Sequence, residues 1–351
     1  MNFHNFSYPR CVTMICDLFT SAKFKIYLSG GSVRDIILGT IPRDYDLITN
    51  ALPSEIKEIL ITANIKYHLR GDNYGTYGCI LDKTDIDIGS LMKEVPTITF
   101  GCTIEEDSGR RDITYNALYY DFENLTLIDL VGGLADIQTG TVRIIGNPIQ
   151  RFHEDKLRIL RVLRYACRYN HIIAEETFAA IKSIPIGVIV LSKERIYSEL
   201  KKAFAGDFDR YLTYLKMLGM FDLVFPNMIC DYDGGITADY LCIYFAYIFR
   251  NDTDVEKKLI WLRYDKKIIR EIIFLLRMIN FQPEFVRMYI SDRKKINIDR
   301  KCLLDWCDIM NLGMYQKKFC AYESVCTKSM IYQNAAEQLD KLEYDSFMEK
   351  K

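Results

Sequence analysis

The stretch Leu28-Ser29-Gly30-Gly31-Ser32-Val33-Arg34-Asp35, followed by Asp44-Tyr45-Asp46, decides how the first part of this chain folds. An extended Asp-x-Asp puts both carboxylates on one face of a strand, because successive side chains alternate sides. Asp44 and Asp46 aimed together suit a hard divalent cation. Upstream, a strand ending at Leu28, a glycine pair and a helix beginning near Val33 expose backbone N–H groups where an anion can come close. Gly30, Gly31 and Ser32 are therefore a candidate phosphate cradle. Arg34 adds a planar donor fork, and Asp35 is placed to pair with it at the helix start. A glycine pair alone is an ordinary turn; the neighbouring aspartates give this one its meaning.

A third acid is expected from the strand that carries Asp85, Ile86 and Asp87. The run Gly75 to Leu81 turns back at Asp82-Lys83, so Asp87 can return beside the first acidic strand and face the same position. Asp87 is favoured over Asp85. Three carboxylates with two hard cations would form a two-metal site for nucleotidyl transfer.

Composition sets the frame for these motifs. The chain has 351 residues, 49% of them hydrophobic and 26% charged, which is enough to bury a sizeable core and to divide into more than one unit. No apolar run is as long as a bilayer span needs, and Leu241 to Phe249 reads as buried helix. The N-terminus lacks the pattern of a signal sequence. The 11 cysteines are scattered without Cys-x-x-Cys pairs, which suits a reducing, cytoplasmic setting. A formal charge of −1 gives no global electrostatic argument for a nucleic-acid partner. Any such argument must rest on local stripes such as Arg293-Lys294-Lys295, Arg300-Lys301 and Lys317-Lys318, whose plainer explanation is a solvated helix face.

Texture changes near residue 140. Before it, Lys25 to Leu28, Thr76 to Leu81, Ile86 to Ile88 and Thr97 to Phe100 read as strands between Gly, Asn and Asp turns, with few helices. After Arg151, apolar residues recur at helical spacing, as in Leu157, Leu160, Leu163 and then Ile196, Leu200, Phe204. The expected fold is α+β: a mixed-sheet head over 1–140, a helical neck over 141–205 and a helical body and tail over 206–351.

Two further clusters carry chemistry. Arg110-Arg111-Asp112, with Asn116, supplies donors for a triphosphate and partners for ribose hydroxyls, although an Arg-Arg-Asp run alone is usually a surface ion-pair patch. Glu154-Asp155 and Arg158, in a stretch continuing through Arg161, would put Asp155 and Arg158 on one helix face. A carboxylate accepts from the exocyclic amine of cytosine or adenine, while a guanidinium donates to the ring nitrogen beside it. Guanine and uracil have the opposite polarity there, so a fixed pair would reject them. The plainer reading is a helix-stabilising ion pair.

These blocks, together with Asp129-Leu130-Val131-Gly132-Gly133 and Glu194-Arg195 with Glu199-Leu200, resemble in order the motifs of class II tRNA nucleotidyltransferases, a branch of the polymerase β-like superfamily that includes bacterial poly(A) polymerases. The match covers roughly residues 20–205. The resemblance implies that Asp44, Asp46 and Asp87 hold two Mg²⁺ ions. It places Gly30, Gly31, Ser32 and Arg34 by the triphosphate, and Arg111, Asp112 and Asn116 around sugar and phosphates. It implies that Asp155 and Arg158, with Arg161, read the base, supported by Glu154, Glu194 and Arg195, and that 129–133 is a flexible joint. The implied reaction adds CCA to the tRNA acceptor end from CTP and ATP. The segment Ile88 to Thr97 is short for a member that adds the terminal adenosine, so addition of CC alone is the alternative. A poly(A) polymerase is the other, although this near-neutral chain lacks the basic extension expected of one.

Overall fold

The computed structural model describes residues 6–70, 75–94, 97–185, 190–279, 298 and 300–310. The chain forms two compact units, 1–190 and 191–351, a division that falls inside the 141–205 neck. The stretches Arg293-Lys294-Lys295 and Lys317-Lys318 lie outside the described residues.

The first unit is organised by one mixed seven-stranded sheet in the order β3-β4-β5-β2-β1-β8-β9. Its strands are β1 (Ile26–Ser29), β2 (Asp44–Thr49), β3 (His68–Arg70), β4 (Thr76–Leu81), β5 (Thr84–Ser90), β8 (Leu118–Asp121) and β9 (Thr126–Asp129). Two short strands, β6 (Met92–Lys93) and β7 (Thr99–Phe100), pair with each other apart from it. β4 and β5 are joined by the two-residue turn Asp82-Lys83, with φ of 48° and 66°. Both central residues at positive φ is the turn geometry that matches the twist of a tight hairpin.

Alternation fixes the faces. In β2, Tyr45 and Leu47 are buried, and in β5 Ile86 and Ile88 are fully buried. The strands run parallel with Tyr45 opposite Ile86 and Leu47 opposite Ile88. Burying such side chains is worth about 1.5–3 kcal/mol each. A one-residue slip would expose them and turn the intervening acids inward, so the register is strongly specified.

The head carries more helix than the turn-rich sequence suggests: α1 (Arg10–Ser21), α2 (Gly30–Ile37), α3 (Pro53–Thr62), α4 (Ile104–Arg110) and α5 (Gly133–Thr139). α1 buries Cys11, Val12, Ile15, Cys16 and Phe19, one helical stripe. After β10 (Thr141–Val142) come α6 (Pro148–Glu154), α7 (Leu157–Arg168), β11 (Ile172–Ile173) and α8 (Glu175–Ser183).

The second unit is helical where described: α9 (Lys193–Ala203), α10 (Phe208–Met217), α11 (Phe221–Val224), α12 (Leu241–Ile248), α13 (Val255–Trp261), α14 (Lys266–Ile279) and α15 (Arg300–Ile309). α12 is apolar nearly all round and buries Cys242, Ile243, Tyr244, Phe245, Ala246 and Ile248, as its sequence indicated. No described helix is long and apolar enough to cross a membrane. Lys301 pairs with Asp239 on the surface of this unit.

Candidate active site

Strand register brings the acids together. β2 and β5 pair with Asp44 opposite Asp85 and Asp46 opposite Asp87, so all four carboxylates leave the sheet on the face opposite Tyr45 and Ile86. Asp44 is exposed and Asp46 half-buried. Burial, then the charges of Asp44 and Asp87, push the Asp46 carboxyl up to about 6, against the opposing pull of Arg111 and Arg34. Burial also raises Asp87, opposed by Arg70 and reinforced by Asp85. Each shift reports negative charge gathered where solvent is scarce.

Asp85 and Asp87 do not stand alone. Arg70 on β3 donates to Asp87 Oδ2 at 2.9 Å and to both oxygens of Asp85 at 2.6 Å. Asp87 Oδ1 is buried without a hydrogen-bond partner. Among the described residues no three of His, Cys, Asp or Glu lie close enough to hold one ion as they stand. The donor chemistry fits a divalent cation at Asp44 and Asp46, hard oxygens carrying repelling charge, with Asp87 Oδ1 the neighbouring oxygen that has no other use.

The glycine turn is built for close approach. α2 begins at Gly30, earlier than the expected Val33, with extended Ser29 as N-cap and no side chain capping the first turn. Its first N–H groups therefore have no intrahelical partners. Gly30 has φ +58°, and a Cβ there would meet Arg111 Nη1 at 2.9 Å. At Gly31 a Cβ would sit 3.4 Å from Asp46 Oδ2. Helix start, arginine and acid thus converge on one spot, held open by missing side chains.

Several expected phosphate ligands are instead tied into the protein. Ser32 Oγ accepts from Asp46 N at 2.8 Å and donates to Asp44 O at 3.2 Å, so it fastens the acidic strand beside the helix start. Arg34 is buried. Its Nε and Nη2 donate to Asp35 at 3.0 and 2.8 Å, its Nη1 donates to Asn116 Oδ1 at 2.7 Å, and its guanidinium lies over Tyr165 and Tyr169. The pairing with Asp35 follows the sequence expectation; the anchoring to Asn116 does not appear in it.

Asn116, on a single 3-10 turn (Thr114–Asn116), donates onward to Asp112 Oδ1 and to the Tyr165 hydroxyl, each at 2.9 Å. Asp112 Oδ2 accepts from Arg161 Nε at 2.6 Å. Burial by itself would raise Asp112, but Arg161, Asn116 and the Ile113 N–H outweigh it and hold the carboxyl at about 2. Arg34, Asn116, Asp112 and Arg161 form one chain of charge-assisted bonds from α2 to α7.

Arg111 donates to Asp107 Oδ2 at 2.9 Å and to Asn116 O at 2.7 Å and lies over the Tyr119 ring. Asp107 is fully buried and also receives Arg110 and the Tyr119 hydroxyl at 2.7 Å each. Burial works to raise its carboxyl, yet Arg111 and Arg110 bring it below the ordinary value. Sequence reasoning missed Asp107, although its spacing of three and four to Arg110 and Arg111 was the available signal.

The pair expected to read the base requires a correction of placement. α6 ends at Glu154, Asp155 is extended (φ −144°, ψ 104°), and α7 starts at Leu157, so Asp155 and Arg158 do not share an unbroken helix. Asp155 Oδ1 accepts from Leu157 N at 3.1 Å, the kind of local bond by which Asp interrupts a helix and starts the next. Arg158 is buried and donates to Arg151 O and Glu154 Oε2, each at 2.9 Å. Glu154 also pairs with Arg151 at 2.5 Å, and Arg151 in turn holds Arg111 O at 2.7 Å. Arg151, which the sequence marks only as the start of the helical stretch, thus clamps the Arg110-Arg111 backbone to α6.

Two other expectations land differently. Asp129 accepts from the N–H groups of Val131, Gly132, Gly133 and Leu134, and a Cβ on Gly133 would meet Thr114 O at 2.4 Å, so the proposed joint is pinned and tightly packed. Glu194 and Arg195 lie on α9 of the second unit, where Glu194 is 3.8 Å from Arg263.

A mixed sheet with paired aspartates beside a glycine helix start defines a nucleotidyltransferase head. Residues 26–143 match the Poly A polymerase head domain, and 172–230 match the family described as probable RNA and SrmB-binding site of polymerase A. The chain is 33% identical over 226 residues to Poly(A) polymerase I of Salmonella typhi, covering 59% of this chain and 48% of that protein. It is 33% identical over 214 residues to the mouse mitochondrial CCA tRNA nucleotidyltransferase 1, covering 57% and 48%. In fold it is similar to a Bacillus stearothermophilus CCA-adding enzyme solved in complex with CTP, with a TM-score of 0.67, 23% identity, and coverage of 80% and 73%. This chain belongs to the class II CCA-adding enzyme and poly(A) polymerase family. It spans about half the length of the curated relatives it matches.

Proposed function

We propose that this chain is a template-independent tRNA nucleotidyltransferase that rebuilds the 3′ CCA end from CTP and ATP. The observation that carries the proposal is the approach of Asp44 and Asp46 to the uncapped start of α2 at Gly30-Gly31, with Arg111 against Gly30. Cation, triphosphate and attacking hydroxyl can meet only where acids and anion donors adjoin.

The chain's own residues divide the work. N–H groups at Gly30 and Gly31 receive phosphate oxygens, and Arg111 offsets charge on them. Ser32 holds the acidic strand in place. The chain from Arg34 through Asn116 and Asp112 to Arg161 fixes α7 relative to the sheet, so that Asp155 and Arg158 stand at a constant distance from the reacting phosphorus. Glu154 orients Arg158. Divalent cations at Asp44 and Asp46, with Asp87 beside them, would activate the primer hydroxyl and stabilise the leaving pyrophosphate, two Mg²⁺ ions in the full reading. The substrate partner is the tRNA acceptor end, met mainly through shape and phosphates.

A second reading is supported by the 33% identity to Poly(A) polymerase I over 226 residues, equal to that with the tRNA nucleotidyltransferase, and a third, addition of CC alone, by the short connection from β5 to β7. One experiment separates all three: purified protein with trimmed tRNA, Mg²⁺ and each nucleotide singly and in pairs, resolved as a product ladder. Three additions ending in A support the proposal. Arrest after two cytidines selects CC addition, long adenosine tails select the polymerase, and equal use of all four nucleotides removes base reading by Asp155 and Arg158.

A further inference from the structure

The edge strand β3 places a cation where the acid cluster needs a brace. β4 separates β3 from β5, yet Arg70 on β3 reaches the carboxylates of β5. It passes over Gly78, which pairs with His68 on one side and Asp87 on the other. A Cβ at Gly78 would lie 2.6 Å from Arg70 Nε and from His68 Nε2. The glycine therefore opens the path across the strand, and Arg70 Nε donates to His68 Nε2 at 3.1 Å as it crosses.

We infer that Arg70 is a positioning residue for Asp87, reaching it across Gly78, while Asp85 cancels its charge so that the acid cluster keeps its pull on a cation. The inference rests on the catalytic reading above. Asp87 has one oxygen bonded to Arg70 and the other buried without a partner, so the arginine fixes the carboxylate while leaving Oδ1 available. An arginine alone would neutralise part of the cluster's charge. Asp85, held by Nη2 of the same arginine at 2.6 Å, restores it.

The test uses two perturbations that leave net charge unchanged. R70M/D85N removes arginine and counter-charge together, and Gly78→Ala blocks the path while keeping both. Mn²⁺ is titrated into the full chain and free ion is followed by electron paramagnetic resonance, with Asp44→Ala as the reference for loss of the site. Both variants are expected to bind Mn²⁺ about three- to tenfold more weakly, the scale of losing one partly screened charge contact. Their kcat per folded molecule, with the folded fraction read by circular dichroism, should fall while the KM for tRNA stays. Binding curves that superimpose on a wild type that does bind Mn²⁺ overturn this inference alone. A folded wild type that binds no Mn²⁺ overturns the catalytic reading with it.

Discussion

Replacing Asp46 with Asn should make the metal-free protein more stable at neutral pH while abolishing its activity. Asp46 rises from 3.8 to about 6 on folding, first through burial and then through Asp44 and Asp87. At about 1.4 kcal/mol per pH unit, the charged form costs the native state about 3 kcal/mol, and solvent reaching this half-buried group reduces that to about 1–2 kcal/mol. Because the folded carboxyl is raised, its contribution to stability is complete below the ordinary value and disappears as pH climbs through 6. Urea unfolding in EDTA between pH 4 and 7.5 reads this directly. Wild type should lose ground across the window, and Asp46→Asn should overtake it by about 1–2 kcal/mol at pH 7.5. Millimolar Mn²⁺ should close the gap by stabilising wild type alone. A variant less stable than wild type at pH 7.5, or a gap that ignores pH, would refute the argument that crowded acids strain this strand.

Asp112 behaves in the opposite sense. Its carboxyl is held at about 2 despite burial, so its contribution is present above the ordinary carboxylate range and is lost as pH falls toward 2. Asp112→Asn should cost about 2 kcal/mol at pH 7, a deficit that narrows by pH 3; a constant deficit in urea midpoints would show that Arg161 is not its partner in solution. Gly30→Ala meets both a φ of +58° and Arg111 Nη1 at 2.9 Å. It should cost about 1–2 kcal/mol of backbone strain and sharply weaken CTP binding by calorimetry, whereas unaltered CTP affinity would remove the helix start from the phosphate site.

Much of the head was legible locally. The Asp44-Tyr45-Asp46 alternation, the hairpin at Asp82-Lys83 and the return of Asp87 beside Asp46 follow from period-two geometry and turn chemistry, which act over a few residues. The break between α6 and α7 was not, because helical apolar spacing continues across it, while Asp155 is extended and its carboxylate accepts from Leu157 N. Nor could the turn-rich composition of the head announce α1, α3 or α4, which owe their stability to burying one face against the rest of the unit.

The sequence alone determined which residues carry charge, which face of each strand they occupy and where the chain must turn, since these depend on neighbours along the backbone. Tertiary structure decided who meets whom. It gave Arg34 to Asn116 and Arg161 to Asp112, and it sent Arg70 across Gly78 to Asp85 and Asp87. Those pairings join residues distant in the chain, and a buried charge accepts whichever partner packing delivers.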